Sequence, residues 1–203
     1  MSQNNHSLLL FFDKAEKHKA CYSLFKSANS EDQENYKKLS EKLGIDISDN
    51  WGDDWFNIHF ESKQKYISLS LDTSTSNDLT LDLLESLFSI GMRAACVEVF
   101  FDQVGEFSQH FFFDGSMIER DSLFKKSKLF QEVSKKEFEC EQDDLEEEYS
   151  DLPVSITELR ARRDKQQEEA AETVESMMDM FAQARKDGNT SELVSGLVDL
   201  AKA

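Results

Sequence analysis

Hydrophobic and polar residues alternate with a two-residue period in the middle of the chain. Hydrophobic side chains take every second position over residues 56–60 and again over residues 67–71. Such alternation is typical of a β-strand with one buried face. The short polar gap between the two segments therefore predicts a β-hairpin.

The segment that follows has a helical period instead. Leucine and phenylalanine recur three and four residues apart over residues 79–88, and Gly91 follows this run. Glycine is common just after the last turn of a helix, where the backbone adopts a left-handed conformation. We therefore predict a helix that ends at Gly91.

Three more strands are predicted after this helix. Residues 95–102 and 109–113 are strand-like runs, and the pair Asp114-Gly115 is a strong signal for a two-residue hairpin turn into a strand over residues 117–120. The order of elements is β-β-α-β-β-β. It predicts an α+β fold built from an antiparallel-rich sheet with helices on one face.

The first 50 residues are predicted to form a helical segment that packs on the core. The apolar run over residues 7–12 is too short for its period to separate a strand from a helix. Its continuation through Cys21 and Phe25, among lysines, favours a helix. The sheet domain is then predicted over residues 51–130.

The chain changes composition after this domain. Residues 131–153 are predicted to be an acidic linker, because residues 137–151 hold nine acids and no Lys or Arg. Like charges in such a block repel one another and keep the segment extended and solvated. A helical hairpin is predicted over residues 154–203, where Ser155 and Glu158 match a capping box.

The first helix of this hairpin carries a narrow apolar stripe. Hydrophobic residues follow the four-three spacing of a coiled-coil seam: Ala170, Val174, Met177, Phe181 and Ala184. The stripe of Val174, Met177 and Phe181 therefore predicts either packing of the hairpin back against the sheet or a homo-oligomer.

The net charge of the chain restricts the classes of function that we expect. The 203 residues hold 41 acids and 23 Lys or Arg, which gives a net charge of −18. Nucleic-acid binders and proteins that dock on anionic lipid need an excess of cations, so we expect neither direct nucleic-acid binding nor membrane binding. Three scattered cysteines, without a signal-peptide pattern, favour a reducing, cytoplasmic location.

Catalytic and metal motifs are not found. The cysteines and histidines have no zinc-ligand spacing, and the glycines form no nucleotide-binding loop. Asp49, Asp53 and Asp54 are interpreted as a solvated acidic turn. A divalent-metal enzyme that uses His59 and His110 across the sheet stays an alternative, but we expect a non-enzymatic protein without cofactor or metal.

The predicted sheet has a second face that is unusually aromatic. If the side chains of Val97, Val99, Phe111 and Phe113 point inward, the opposite set is Trp55, Asn57, His59, Tyr66, Glu98, Phe100, His110 and Phe112. Exposed, such a patch is typical of an interaction surface. The alternative is that the C-terminal hairpin covers it.

The acidic segment has two interpretations as well. It is either a solvated linker or a binding segment that attracts a basic partner electrostatically. Its candidate contact residues are Glu141, Asp143, Asp144, Glu146, Glu147 and Glu148. In the second case electrostatic steering accelerates association. We therefore predict a binding protein for a basic surface, such as an immunity protein, an antitoxin-like inhibitor or a nucleic-acid mimic, whose partner is a basic protein such as a toxin or nuclease.

A short motif adds a family resemblance. The run Trp51-Gly52-Asp53-Asp54-Trp55, the strand Ile-Ser-Leu-Ser-Leu-Asp-Thr and the Leu-rich helix follow in the same order as in the YubB-like domain of plasmids and phages. Residues 51–115 resemble this family, although its N-terminal strand is not apparent in the sequence. The resemblance implies a ferredoxin-like fold and a mobile-element setting in bacteria, without implying a reaction.

Overall fold

A computed structural model describes residues 3–28, 33–45, 59–63, 66–74, 80–101, 105–138 and 151–186. Seven strands are formed by these residues: β1 (Gln3–Phe11), β2 (His59–Lys63), β3 (Tyr66–Ser74), β4 (Ala94–Phe101), β5 (Glu106–Phe113), β6 (Ser116–Met117) and β7 (Val154–Ser155). The helices they form are α1 (Ala15–Ala28), α2 (Gln33–Leu43), α3 (Thr80–Ser89), α4 (Arg120–Lys126), α5 (Lys128–Glu137) and α6 (Ile156–Lys186).

All seven strands belong to one antiparallel sheet with the order β2-β3-β1-β4-β5-β6-β7. This confirms the predicted α+β class and the antiparallel sheet. The predicted hairpin is also present, since β2 and β3 are paired up to Lys63 and Tyr66.

The run at residues 7–12, for which the sequence left strand and helix open, lies up to Phe11 in β1, at the centre of the sheet, so the prediction of a purely helical segment over residues 1–50 is wrong. Leu8 and Leu10 are buried in one hydrophobic cluster, whereas Leu9 and Phe11 are buried in another on the opposite face. A strand buried on both faces has no polar positions to reveal its two-residue period. The helix that the following residues favoured is α1, which starts at Ala15.

Helices cover both faces of the sheet, which corrects the prediction of helices on one face. On the first face, Cys21 and Phe25 of α1 and Leu87 of α3 pack with Leu8 and Leu10. On the second face, residues of the two short helices α4 and α5 pack with Leu9 and Phe11: Leu123, Phe130 and Val133. The sheet is therefore the middle layer of three.

The predicted inward and outward positions of β5 are inverted. His110 is the Cα partner of Val97, and Phe112 shares the first cluster with it, while Phe111 lies in the second cluster. Three consecutive phenylalanines at 111–113 give no alternation from which the register could be predicted, and a one-residue slip exchanges the faces.

Two predicted chain reversals are confirmed. Asp114 and Gly115 both have positive φ, 52° and 78°, as a type I′ hairpin turn between paired Phe113 and Ser116 requires. At the end of α3, Gly91 has φ 106°, and the Met92 amide donates to the Leu87 carbonyl at 3.0 Å. This bond is typical of a Schellman helix terminus.

The chain divides into two compact units, Met1–Leu159 and Arg160–Ala203. The acidic segment predicted from residue 131 overlaps α5 up to Glu137, and residues 139–150 lie outside the described part. The predicted capping residue starts α6, where the Glu158 amide donates to Ser155 Oγ at 3.2 Å. The second helix of the predicted hairpin lies outside the described residues.

Candidate functional site

The second unit exposes a concentrated set of hydrophobic side chains on α6. Among the described residues, all the large hydrophobic side chains that are exposed lie between positions 174 and 181. They are Val174, Met177, Met178, Met180 and Phe181, with 41–67% of their surface accessible. We call these five residues the α6 patch. It contains the three stripe residues predicted from the sequence.

The helical period explains why these five side chains form one surface. At about 100° per residue, positions 174, 177, 178, 180 and 181 fall within one side of the helix. Glu168, Glu172, Glu175 and Asp179 fall on the opposite side, and all are exposed. The result is an amphipathic helix whose polar side is acidic.

The charge around the α6 patch is mainly negative, with Arg185, one turn beyond Phe181, as a cation on the same side of the helix. The helix holds five carboxylates between residues 168 and 179 and no Lys or Arg from residue 166 to residue 184. Glu169 pairs with Lys165 at 3.2 Å, and both side chains are exposed, so this ion pair contributes little to stability. The surface can therefore offer a hydrophobic contact in a negative field.

The sheet residues predicted as partner contacts are divided between the two faces. His59 is the Cα partner of Ser70, in a row that continues through Ser7 to Glu98, whereas His110 belongs to the next row, opposite Val97. Adjacent rows belong to opposite faces of a sheet. The register therefore does not bring the two histidines together as the metal-enzyme alternative required.

Two of these predicted contact residues are buried and act in packing. Tyr66 lies against Phe11, with ring centroids 5.8 Å apart, and its hydroxyl donates to Glu137 Oε1 at 3.0 Å. Phe112 is only 2% exposed and belongs to the core of the first face. Phe100 is half-buried and contacts Phe107, with centroids 4.7 Å apart.

Buried polar residues include one that no sequence pattern singles out. His6, in the polar first half of β1, is buried, and its Nδ1 lies 3.1 Å from Thr80 Oγ1. Glu98 is also buried, and the Gln109 amide donates to its Oε2 at 2.8 Å. These bonds satisfy polar groups that would be costly to bury alone.

The thiols of Cys21 and Cys96 are unreactive groups at neutral pH. Burial raises the pKa of each to about 12, and the hydrogen bond from Ser134 Oγ to Cys96 Sγ opposes that shift only in part. Since the thiolate is the nucleophile, neither residue has a catalytic environment.

The remaining predicted contacts lie outside the described residues: Trp55, Glu141, Asp143, Asp144, Glu146, Glu147 and Glu148, together with the acidic turn at Asp49, Asp53 and Asp54. Within the described part of the chain, no group of three His, Cys, Asp or Glu side chains is arranged to hold a metal ion. No helix there is both long and apolar enough to cross a bilayer.

Comparison of the chain with protein-family models, curated proteins and solved structures gives no match. The resemblance to the YubB-like domain stays a prediction, and its Trp-Gly-Asp-Asp-Trp motif lies outside the described residues.

Proposed function

We propose that the protein is a non-enzymatic binding protein that occupies a basic surface of a macromolecular partner, and that helix α6 docks there. One observation supports this most: the exposed large hydrophobic side chains of the described residues are all concentrated in the α6 patch. Soluble proteins rarely leave such a cluster in water unless it has a binding role.

The chemistry of the helix defines the partner. An amphipathic helix binds by placing its apolar side in a hydrophobic groove. Met177, Met178 and Met180 are flexible side chains that adapt to an irregular groove, and Phe181 is a rigid anchor. The carboxylates on the opposite side of the helix favour a groove bordered by Lys and Arg. The acidic segment at 137–151 adds to the same attraction.

This contact suits the classes predicted from composition, namely an immunity protein, an antitoxin-like inhibitor or a nucleic-acid mimic. Each class would use surplus carboxylates to reach cations of a partner such as a toxin or nuclease. A net charge of −18 would raise the association rate at low salt and lose this effect as salt screens the charges.

Homo-oligomerisation is a second candidate, favoured by the exposure of Val174, Met177 and Phe181 at coiled-coil spacing. In that case the occupant of the α6 patch is a second copy of the chain. If the predicted helical hairpin forms, residues 189–203 of the same chain are a third candidate to cover the α6 patch. The leucines of this segment have helical spacing.

Site-specific photocrosslinking separates these occupants. A benzophenone amino acid at Met178 lies in the patch, whereas one at Ser176 lies outside it and is the matched control. We expect a crosslink from position 178, and not from 176, to a foreign protein with a basic surface, formed at low salt and lost near 1 M salt. A crosslink to a second copy or to residues 189–203 contradicts the proposal, and so does the absence of any crosslink.

Binding of the purified partner then measures the charge effect. We expect Glu175→Lys to lower the association rate several-fold at low salt, because it reverses a charge on the acidic side of the helix that carries the α6 patch. Glu16→Lys, an exposed position on α1 with the same change of net charge, is the control and should have a smaller effect. Equal effects of the two variants would contradict docking through α6.

We also propose that β1–β4 and α1–α3 form a ferredoxin-like unit. The chain order is β1-α1-α2-β2-β3-α3-β4, and the spatial order is β2-β3-β1-β4 with every pair antiparallel. This is the order of a split βαβ repeat, with two helices in the first connection. It supports the YubB-like resemblance, because β1 takes the place of the N-terminal strand that the sequence did not reveal.

A further inference from the structure

A pocket in the first unit has no role in the contact proposed for α6. It lies where β1 ends and β4 begins, beside the junction of α4 and α5, and its volume is about 390 Å³. Pockets that bind small ligands typically measure about 300–1,000 Å³. The space is therefore sufficient for a small organic molecule.

Aromatic rings form much of the pocket wall. Phe11 and Phe130 are in contact, with ring centroids 4.7 Å apart, and Phe113 also lines the space. Phe11 and Phe130 are fixed by burial in the core of the second face. Ligand rings pack well against such walls, in stacked or edge-to-face arrangements.

Two cations lie on one of these rings. The guanidinium carbon of Arg93 and the ammonium nitrogen of Lys126 are each 4.4 Å from the centroid of the Phe113 ring. Arg93 also pairs with Asp13, at 3.3 Å, and with Asp114, which fixes its position at the pocket. Lys126 is exposed and extends from the end of α4.

The surroundings of Lys126 are basic, in contrast to the chain as a whole. Residues 120–128 contain four Lys or Arg and one acid, in a chain of net charge −18. The pocket lining itself holds Arg93 and Lys126 together with one carboxylate, Asp13, which pairs with Arg93, so an anion is attracted there mainly by Lys126. Ser127, which caps α5 by accepting from the Leu129 amide at 3.2 Å, lines the same pocket.

We propose that this pocket binds a small aromatic carboxylate. Its ring would pack against Phe130, and its carboxylate would pair with Lys126 beside Phe113, assisted by the Arg93 guanidinium. Charge-assisted hydrogen bonds to a carboxylate give such a site its preference for an anion, and the aromatic wall gives its preference for a planar ring.

The probe for this proposal is 1-naphthoate, with the neutral 1-naphthalenemethanol as its uncharged counterpart. Titration of the full chain, followed by amide NMR, should give saturable shifts at Phe113 and Ser127 with a Kd of about 1 mM or tighter. The alcohol should bind at least about tenfold more weakly. Absence of shifts at these residues with 5 mM naphthoate, or equal binding of acid and alcohol, overturns the proposal.

A matched pair of lysine variants tests the assigned cation. Lys126→Met should weaken naphthoate about tenfold without changing the weak binding of the alcohol, because the methionine keeps the length of the side chain. Lys125→Met removes the same charge from the neighbouring exposed position, which does not line the pocket, and should change the Kd less than twofold. If both variants weaken the binding of naphthoate equally and unfold thermally like the parent protein, the anion is attracted only by the general positive charge of this region. That result overturns the proposed site.

Discussion

Phe25 and Phe181 occupy helices with opposite surroundings. Phe25 of α1 is 1% exposed and packs against the first face of the sheet, whereas Phe181 of α6 is 43% exposed. The same side chain thus stabilises the fold in the first unit and is left accessible in the second. Hydrophobic residues of the sheet and its covering helices are explained by folding, while those of the α6 patch require another explanation.

The largest expected effect belongs to the buried phenylalanine. Phe25→Ala should lower the free energy of unfolding by about 3–5 kcal/mol, since the lost burial is accompanied by a cavity in a packed core. Urea unfolding followed by circular dichroism measures this loss. A loss below about 1 kcal/mol would mean that Phe25 is not packed as described, and the contrast with Phe181 would disappear.

The buried thiols give a smaller effect that depends on pH. An unfolded Cys96 ionises near pH 9, whereas the folded thiol keeps its proton up to about pH 12. Stability is therefore unaffected below pH 9 and falls above it, by about 1.4 kcal/mol per pH unit for each thiol. Cys96→Ala should reduce the slope between about pH 9.5 and 11 by this amount.

A second cysteine variant and one control variant accompany the measurement of this slope. Cys21→Ala should reduce the slope in the same way, because burial raises the pKa of Cys21 to about 12 as well. Ser23→Ala, at an exposed position of α1, should leave it unchanged. An unaltered slope in both cysteine variants would show that these thiols are accessible to water.

The smallest effect is expected in the α6 patch. Phe181→Ala should change the free energy of unfolding by no more than about 0.5 kcal/mol, because an exposed side chain has little burial to lose and alanine is a better helix former. Urea unfolding at two protein concentrations is the measurement. A loss above about 1.5 kcal/mol would mean that a second copy or another segment covers the patch.

Elements with a distinctive local signal could be predicted from the sequence. The turn at Asp114-Gly115 needs positive φ at both positions, and the end of α3 needs it at Gly91, so the residues themselves reveal the geometry. The start of α6 at Ser155 was also predictable, because a hydroxyl that caps a helix must occupy that one position.

Elements defined by long-range packing could not be predicted in this way. β1 is apolar at successive positions from Leu8 to Phe11 because both of its faces are covered there, and its periodicity is lost for that reason. Helices α4 and α5 are short and rich in lysine, and their buried hydrophobic residues Leu123, Phe130 and Val133 pack them on the sheet. The burial of Tyr66 follows from those helices, so its predicted role as an exposed contact could not be judged from the sequence.

The central position of β1 also affects how the chain folds during synthesis. The strand ends at Phe11, but its two neighbours begin 55 and 83 residues later, at Tyr66 and Ala94. At about 5–20 residues per second, the ribosome needs several seconds to supply both partners. During this time the hydrophobic segment Leu8–Phe12 has neither neighbouring strand to pair with, so the side chains that later lie in both cores stay accessible to water.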